Sequence, residues 1–233
     1  MVCISCKNEH SSDFCPNCGE KSNTRKITFR SISEDTFSTI TAMDRGVLYN
    51  VKNLILRPQE FTSEYILGKR RGVLNPISFL IISITLYLII ESMLRVPIEI
   101  PESKLIPESD IQKVGFAAGK TLAIYFKYFW ILSIIPLSVS TKLIFGRYNF
   151  TEHLAINSFI LGQATLIGLI SFLITKTELP VNPLVYLLIL WLVYSVFVKP
   201  KERYDTILMS IGALLLFILQ LFVILMGIGL ITV

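Results

Sequence analysis

Past Cys18 the chain has no cysteine, and charged residues make up only 17% of its 233 positions. The first scarcity excludes a disulfide framework for the body of the protein. The second excludes an ordinary soluble domain, because 52% of the residues are hydrophobic and the mean hydropathy is +0.62. No apolar run precedes the cysteines, so no cleavable signal peptide is expected and the N-terminal thiols stay reduced. A Gly-rich phosphate loop, G-x-S-x-G, H-E-x-x-H and an acidic pair inside an apolar stretch are all missing, so nothing in the sequence supports an enzyme.

What is present divides in two. Met1 to Asn75 carries half of all Lys and Arg, whereas the rest is mainly Leu, Ile, Val and Phe. The expected architecture is an all-α membrane protein with a polar head: a zinc ribbon over 1–22, a basic hinge with amphipathic interfacial helices over 23–75, and a transmembrane domain over 76–233. In the middle part Phe29, Ile32, Thr36 and Ile40 recur at helical spacing. Asp44 is placed to cap a second helix with Val47, Leu48, Val51, Leu54 and Ile55 on one face, and Pro58 opens a third that carries Phe61 and Tyr65.

Five apolar stretches suit spans of a bilayer about 30 Å thick, at 76–93, 121–140, 153–175, 181–198 and 206–233. With the N-terminus inside, the inner side holds the eleven bases of the head with Lys142, Arg147, Lys199, Lys201 and Arg203. The outer side holds Arg95, Lys104, Lys113, Lys120 and Lys176, so the C-terminus is expected outside a bacterial inner membrane. Lys69, Arg70 and Arg71 then fall at the inner edge of the first span, where anionic headgroups attract bases.

Cys3-x-x-Cys6 and Cys15-x-x-Cys18 have the spacing of two metal knuckles. Four thiolates saturate a tetrahedral ion and leave His10 outside, so the expected cofactor is structural zinc, with rubredoxin-like iron as the alternative. Binding must supply most of the folding free energy of so small a module, on the order of 10 kcal/mol. The bases Lys21, Arg25, Lys26 and Arg30 are few and sit beside a membrane, so no nucleic acid is expected.

Within the spans, a charge costs roughly 2.5–3.5 kcal/mol at the bilayer centre. Glu91 and Lys127 lie near the outer ends of the first two spans, within reach of water or of each other. Ser83, Tyr87 and Glu91 form a polar stripe. Asn157 and Gln163 accompany two small-residue tracks, Ala155, Ser158, Gly162, Thr165 and Ala164, Gly168, Ser171, which make the third span central. His153 lies at that span's inner end.

"FCPNCG" followed by "DRGVLYNVKNLILRPQEFTSEYILGKRRGVLNPISFLIISITLY" resembles an uncharacterised family of bacterial membrane proteins known only as a domain of unknown function. Asp44-Arg45-Gly46, Arg57-Pro58, Tyr65, Gly68-Lys69-Arg70 and Pro76 carry that resemblance. It implies a zinc ribbon joined to an integral membrane protein and no activity. "RPQEF" and the span count are similar to Yip1-type five-span proteins, which implies membrane organisation. The expected function is a non-enzymatic adaptor that holds a protein partner at anionic lipid and forms homo-oligomers. The alternative is a small transporter or lipid-handling protein whose path is lined by Glu91, Lys127, Asn157 and Gln163.

Overall fold

A computed structural model describes residues 2–20, 46–94, 110–199 and 202–232. The hinge, the helix expected from Ile27, Asp44 and the Pro-rich segment 95–109 lie outside the described residues, as does the side chain of Lys127. The described residues fold as an N-terminal pair of cysteine-bearing turns and a bundle of helices, without a strand.

Two short helices precede the bundle, α1 (Gly46–Leu56) and α2 (Pro58–Ile66). Pro58 separates them, since its missing N–H is harmless only in a helix's first turn. The buried face of α1 is partly polar, carrying Asn50, Asn53 and Leu54, while Leu48, Ile55 and Leu56 are exposed. That arrangement suits a helix with protein on one side and hydrocarbon on the other. Phe61 and Tyr65 of α2 do not lie on an open interfacial face: both meet the ring of Phe159 edge-on at 5.2 Å, inside the bundle. A periodic apolar face reads the same whether lipid or protein covers it.

The bundle begins with α3 (Pro76–Leu94), started by Asn75 Oδ1 accepting from the Ile77 amide at 3.0 Å. Next come α4 (Asp110–Leu132) and α5 (Ile134–Phe145), which run on from one another. Tyr125 leaves helical geometry at φ −106°, ψ 15°, and Pro136 has no N–H to bond the previous turn. Among the described residues, the stretch here that is apolar enough to cross a membrane is Tyr128–Phe145, which overlaps the expected 121–140. Helix α6 (Phe150–Thr175) opens with a capping box, in which Asn149 Oδ1 accepts from the Glu152 amide and Glu152 Oε2 from the Asn149 amide, both at 2.8 Å. After a 3-10 turn (Leu179–Val181), α7 (Pro183–Phe197) is capped by Asn182, and α8 (Arg203–Thr232) ends the fold.

Among the described residues, four helical stretches are long and apolar enough to cross a membrane: Pro76–Leu94, Tyr128–Phe145, Phe150–Thr175 and Arg203–Ile231. With 15 residues, α7 measures about 22 Å and falls short of a ~30 Å core by itself.

Side-chain contacts set the directions. Trp130 meets Thr165 and Thr141 meets His153, so α4–α5 runs antiparallel to α6. A Cβ on Gly229 would stand 2.6 Å from the Val114 carbonyl and one on Gly212 3.5 Å from Ile144, so α8 is also antiparallel to α4–α5 and therefore parallel to α6. Between them α7 returns, with Val185 at Gly168 and Phe197 stacked on His153. Helix α3 lies parallel to α6, with Phe79 at Gly162 and Tyr87 against Phe172.

The spine is α6, buried along most of its length by Leu80, Ile84 and Tyr87 of α3, Trp130 and Leu137 of α4–α5, and Ile189 and Val193 of α7. Its glycines permit that approach. A Cβ on Gly162 would stand 2.7 Å from the Phe79 ring, and one on Gly168 2.4 Å from Leu179 Cδ2. Gly168→Leu is therefore expected to destabilise the bundle by about 1–3 kcal/mol through overpacking. Gly115→Ala meets no atom within 4 Å and should be neutral or gain about 0.5–1 kcal/mol. Denaturant unfolding in detergent micelles measures both.

Candidate metal centre and its dock

The two cysteine knuckles are one local structure used twice, twelve residues apart. Cys3 N–H donates to Asn8 O and Lys7 N–H to Cys3 O; likewise Cys15 N–H donates to Glu20 O and Gly19 N–H to Cys15 O, at 2.7–3.0 Å. Each turn needs a left-handed residue after its second cysteine, Lys7 at φ 62° and Gly19 at φ 71°. Glycine takes that conformation without cost; lysine does not. One antiparallel bridge, Val2 to Glu9, closes the first knuckle.

This geometry aims amides at sulfur. The Ser5 and Cys6 amides donate to Cys3, those of Asn17 and Cys18 to Cys15, and that of Glu20 to Cys18. The Cys6 amide is the main reason why the Cys3 thiol is held below its ordinary value. Burial pushes the Cys15 thiol up, but its amide and thiol donors outweigh that and hold it at about 6. The Glu20 amide draws Cys18 down, yet burial and the three neighbouring sulfurs push it up to about 12. Four thiols this close cannot all ionise alone, and a cation resolves the conflict.

The four sulfurs lie within 4.8 Å of one another, with Cys3 to Cys18 at 3.4 Å and Cys6 to Cys15 at 3.5 Å. A tetrahedron with ~2.3 Å metal–sulfur bonds has edges of about 3.8 Å, so the set fits one metal ion closed on all sides. His10 bonds Ser12 and is not among these ligands.

The module is held against the loop between α2 and α3. Glu20 is only 7% exposed. Its Oε2 accepts from Ser5 Oγ at 2.8 Å and its Oε1 from the Arg70 amide at 3.4 Å. The Arg71 guanidinium lies over Gly19, where a Cβ would stand 3.0 Å from Nη1. From the other side, Asn50 grips the same loop: its Nδ2 donates to Leu74 O at 2.9 Å and its Oδ1 accepts from Leu74 N–H at 3.2 Å. Glu20 and Asn50 escaped the sequence reading. The twelve-residue offset that makes Glu20 the counterpart of Asn8 was the available signal for the first. For the second it was an amide inside the stripe of Val47, Val51 and Leu54.

The basic triplet makes contacts within the protein. Lys69 pairs with Glu64 at 3.0 Å, Arg70 lies over the Tyr65 ring at 5.7 Å, and Arg71 is exposed beside Gly19.

The described polar residues of the spans bond as follows. Asn157 Nδ2 donates to Thr141 Oγ1 at 2.8 Å and to Ser138 Oγ at 3.3 Å, joining α6 to α5. Trp130 Nε1 donates to Thr165 Oγ1 at 2.9 Å. Gln163 is fully buried, and neither atom of its amide has a partner among the described residues. It lies six residues from Asn157, about 240° round the helix. Glu91 is buried near the end of α3.

Residues 44–88 match the model of a family described as a protein of unknown function (DUF3667). No curated protein and no solved structure matches the chain. The matched segment covers α1, α2, the connecting loop and most of α3. It is compatible with an uncharacterised family, but it begins after the knuckles and lends nothing to the zinc-ribbon or Yip1-type likeness.

Lys7→Gly removes a left-handed lysine worth about 1 kcal/mol, so metal affinity should rise up to about five-fold. Because Cys18 keeps its proton in the metal-free cluster, binding must expel it, and affinity should be higher at pH 8 than at pH 6. Competition against a chromogenic chelator reads both effects.

Proposed function

We propose that this protein is a non-enzymatic membrane adaptor whose zinc-stabilised head presents a partner-binding surface at the inner face of a bacterial cytoplasmic membrane. The observation that carries this reading is the Glu20 clamp: the cysteine module does not merely precede the bundle but is fixed, through Arg70 and Arg71, on the loop that opens its first helix. A fixed module holds a bound partner at one height and angle over the bilayer. Zinc suits four thiolates in a closed tetrahedron, which leaves no position for substrate. Of the triplet, exposed Arg71 is best placed to meet anionic headgroups.

The directions of the helices support a reading with five crossings. Since α6 and α8 run parallel, the chain between them must return, and α7 with its flanking turns is the segment that does so. The span is short, and local thinning or tilt of neighbours accommodates it. In this reading the distribution of bases puts the N-terminus inside, and an odd number of crossings then puts the C-terminus outside. Much of α8 remains open to lipid or to a second copy of the chain.

A second reading, a small transporter or lipid-handling protein, is favoured by the partnerless amide of Gln163 in the bundle interior. Solute flux in proteoliposomes that Gln163→Leu abolishes would support it.

The adaptor reading is tested by affinity capture of the full chain from native membranes beside a Cys15→Ser/Cys18→Ser variant. A protein enriched about ten-fold or more by the wild type alone is the expected result. Identical captured sets from both would refute the head's role.

A further inference from the structure

We propose that the cleft between the inner ends of α2, α5 and α7 binds the phosphodiester of an anionic lipid headgroup. The cleft measures about 710 Å³ and is lined by Gln59, Phe145, Gly146, Arg147, Val198 and Lys199. It lies where two helices of the bundle stop, α5 at Phe145 and α7 at Phe197, on the side from which α3, α6 and α8 start. In the membrane-spanning reading, on which this proposal rests, that level is the headgroup layer; the adaptor role is not needed.

Two bases line the cleft; Glu152 is engaged elsewhere, and Glu202 offsets part of the charge of Lys199. Arg147 contacts the Tyr148 ring at 5.2 Å and forms no ion pair among the described residues. Lys199 is half exposed and pairs with Glu202 at 2.9 Å. Glu152, the nearest acid in sequence to Arg147, caps α6. The obvious alternative duty for the bases, offsetting the carbonyl end of α5, is already served by Lys142 in that helix's last turn, whose ammonium also donates to the Tyr148 carbonyl in the following loop. A guanidinium offers two parallel N–H donors to phosphate, and an ammonium beside it adds charge without demanding one geometry.

Room and surroundings fit an amphiphile. No atom lies within 4 Å of where a Cβ on Gly146 would stand, so the space beside Arg147 is open. The amide of Gln59 is anchored on the Val198 carbonyl at 2.6 Å and forms a fixed polar wall. Leu143, four residues before Arg147, and Leu56, three residues before Gln59, are exposed apolar side chains suited to the first methylenes of acyl chains. A polar slot beside an apolar flank, at headgroup depth, is the surface an anionic phospholipid completes.

The test titrates the full chain in detergent with fluorescent-tailed phosphatidylglycerol and with the phosphatidylcholine of the same tail. Saturable binding of the phosphatidylglycerol, about ten-fold tighter than of the phosphatidylcholine, is expected, with Arg147→Ala/Lys199→Ala losing about ten-fold and Lys52→Ala/Lys120→Ala less than about two-fold. Should the double alanine variant fail to fold, Arg147→Lys replaces it, with an expected loss of about three-fold from the missing fork. Equal affinity for both lipids, or equal loss in the two double variants, overturns the proposal. Inorganic phosphate that displaces the probe as well as unlabelled phosphatidylglycerol does would assign the cleft to free phosphate and overturn the lipid source.

Discussion

The reciprocal hydrogen bonds between Asn50 and the backbone of Leu74 fix the segment on which the rest of the head end depends. They hold the loop between α2 and α3 like a rung of a ladder, and the absence of a side chain at Gly46 lets α1 approach it, since a Cβ there would stand 3.0 Å from Leu74 Cβ. With Leu74 pinned, Asn75 and Pro76 start α3 in a set direction. The Arg70 amide and the Arg71 side chain then lie where Glu20 and Gly19 meet them. The family-matched segment 44–88 is this same unit. A loop held from both sides links the cysteine cluster to a helix long and apolar enough to cross a membrane.

Inside the bundle, hydrocarbon imposes a different constraint. A hydroxyl there must find a partner, and most find one in their own helix: Ser83, Ser140, Ser158, Thr165 and Ser210 each donate to the carbonyl four residues earlier. Those side chains are satisfied locally. Cross-helix bonds such as Trp130 to Thr165 and Asn157 to Thr141 contribute roughly 0.6–2 kcal/mol each and set which faces meet. Close packing at Gly162 and Gly168 contributes the rest, and so α6 is the spine.

Much of this was legible from residue order. The cysteine spacing predicted the cluster of four thiols, and uninterrupted apolar runs predicted α3, α6 and α8 nearly to their ends, because length and hydropathy alone decide such helices. The small-residue tracks correctly made α6 central. Other features were hidden for physical reasons. Uniformly apolar sequence has no periodicity to mark where a helix bends, so the departure from helical geometry at Tyr125 left no trace in it. The amphipathic faces of α1 and α2 look alike whether they meet lipid or Phe159. Pairing of Lys69 with Glu64 and stacking of Arg70 on Tyr65 depend on how the turn after α2 folds back, which charge counting ignores.

The central claim is that the metal module is clamped to the bundle through Glu20, and amide hydrogen exchange of residues 67–75 in the full chain tests it most directly. Metal-loaded wild type should protect the Arg70 amide, while chelation or Glu20→Ala should speed its exchange about ten-fold and leave the Asn50-held Leu74 amide unchanged. Equal exchange at Arg70 in all three samples would contradict the account.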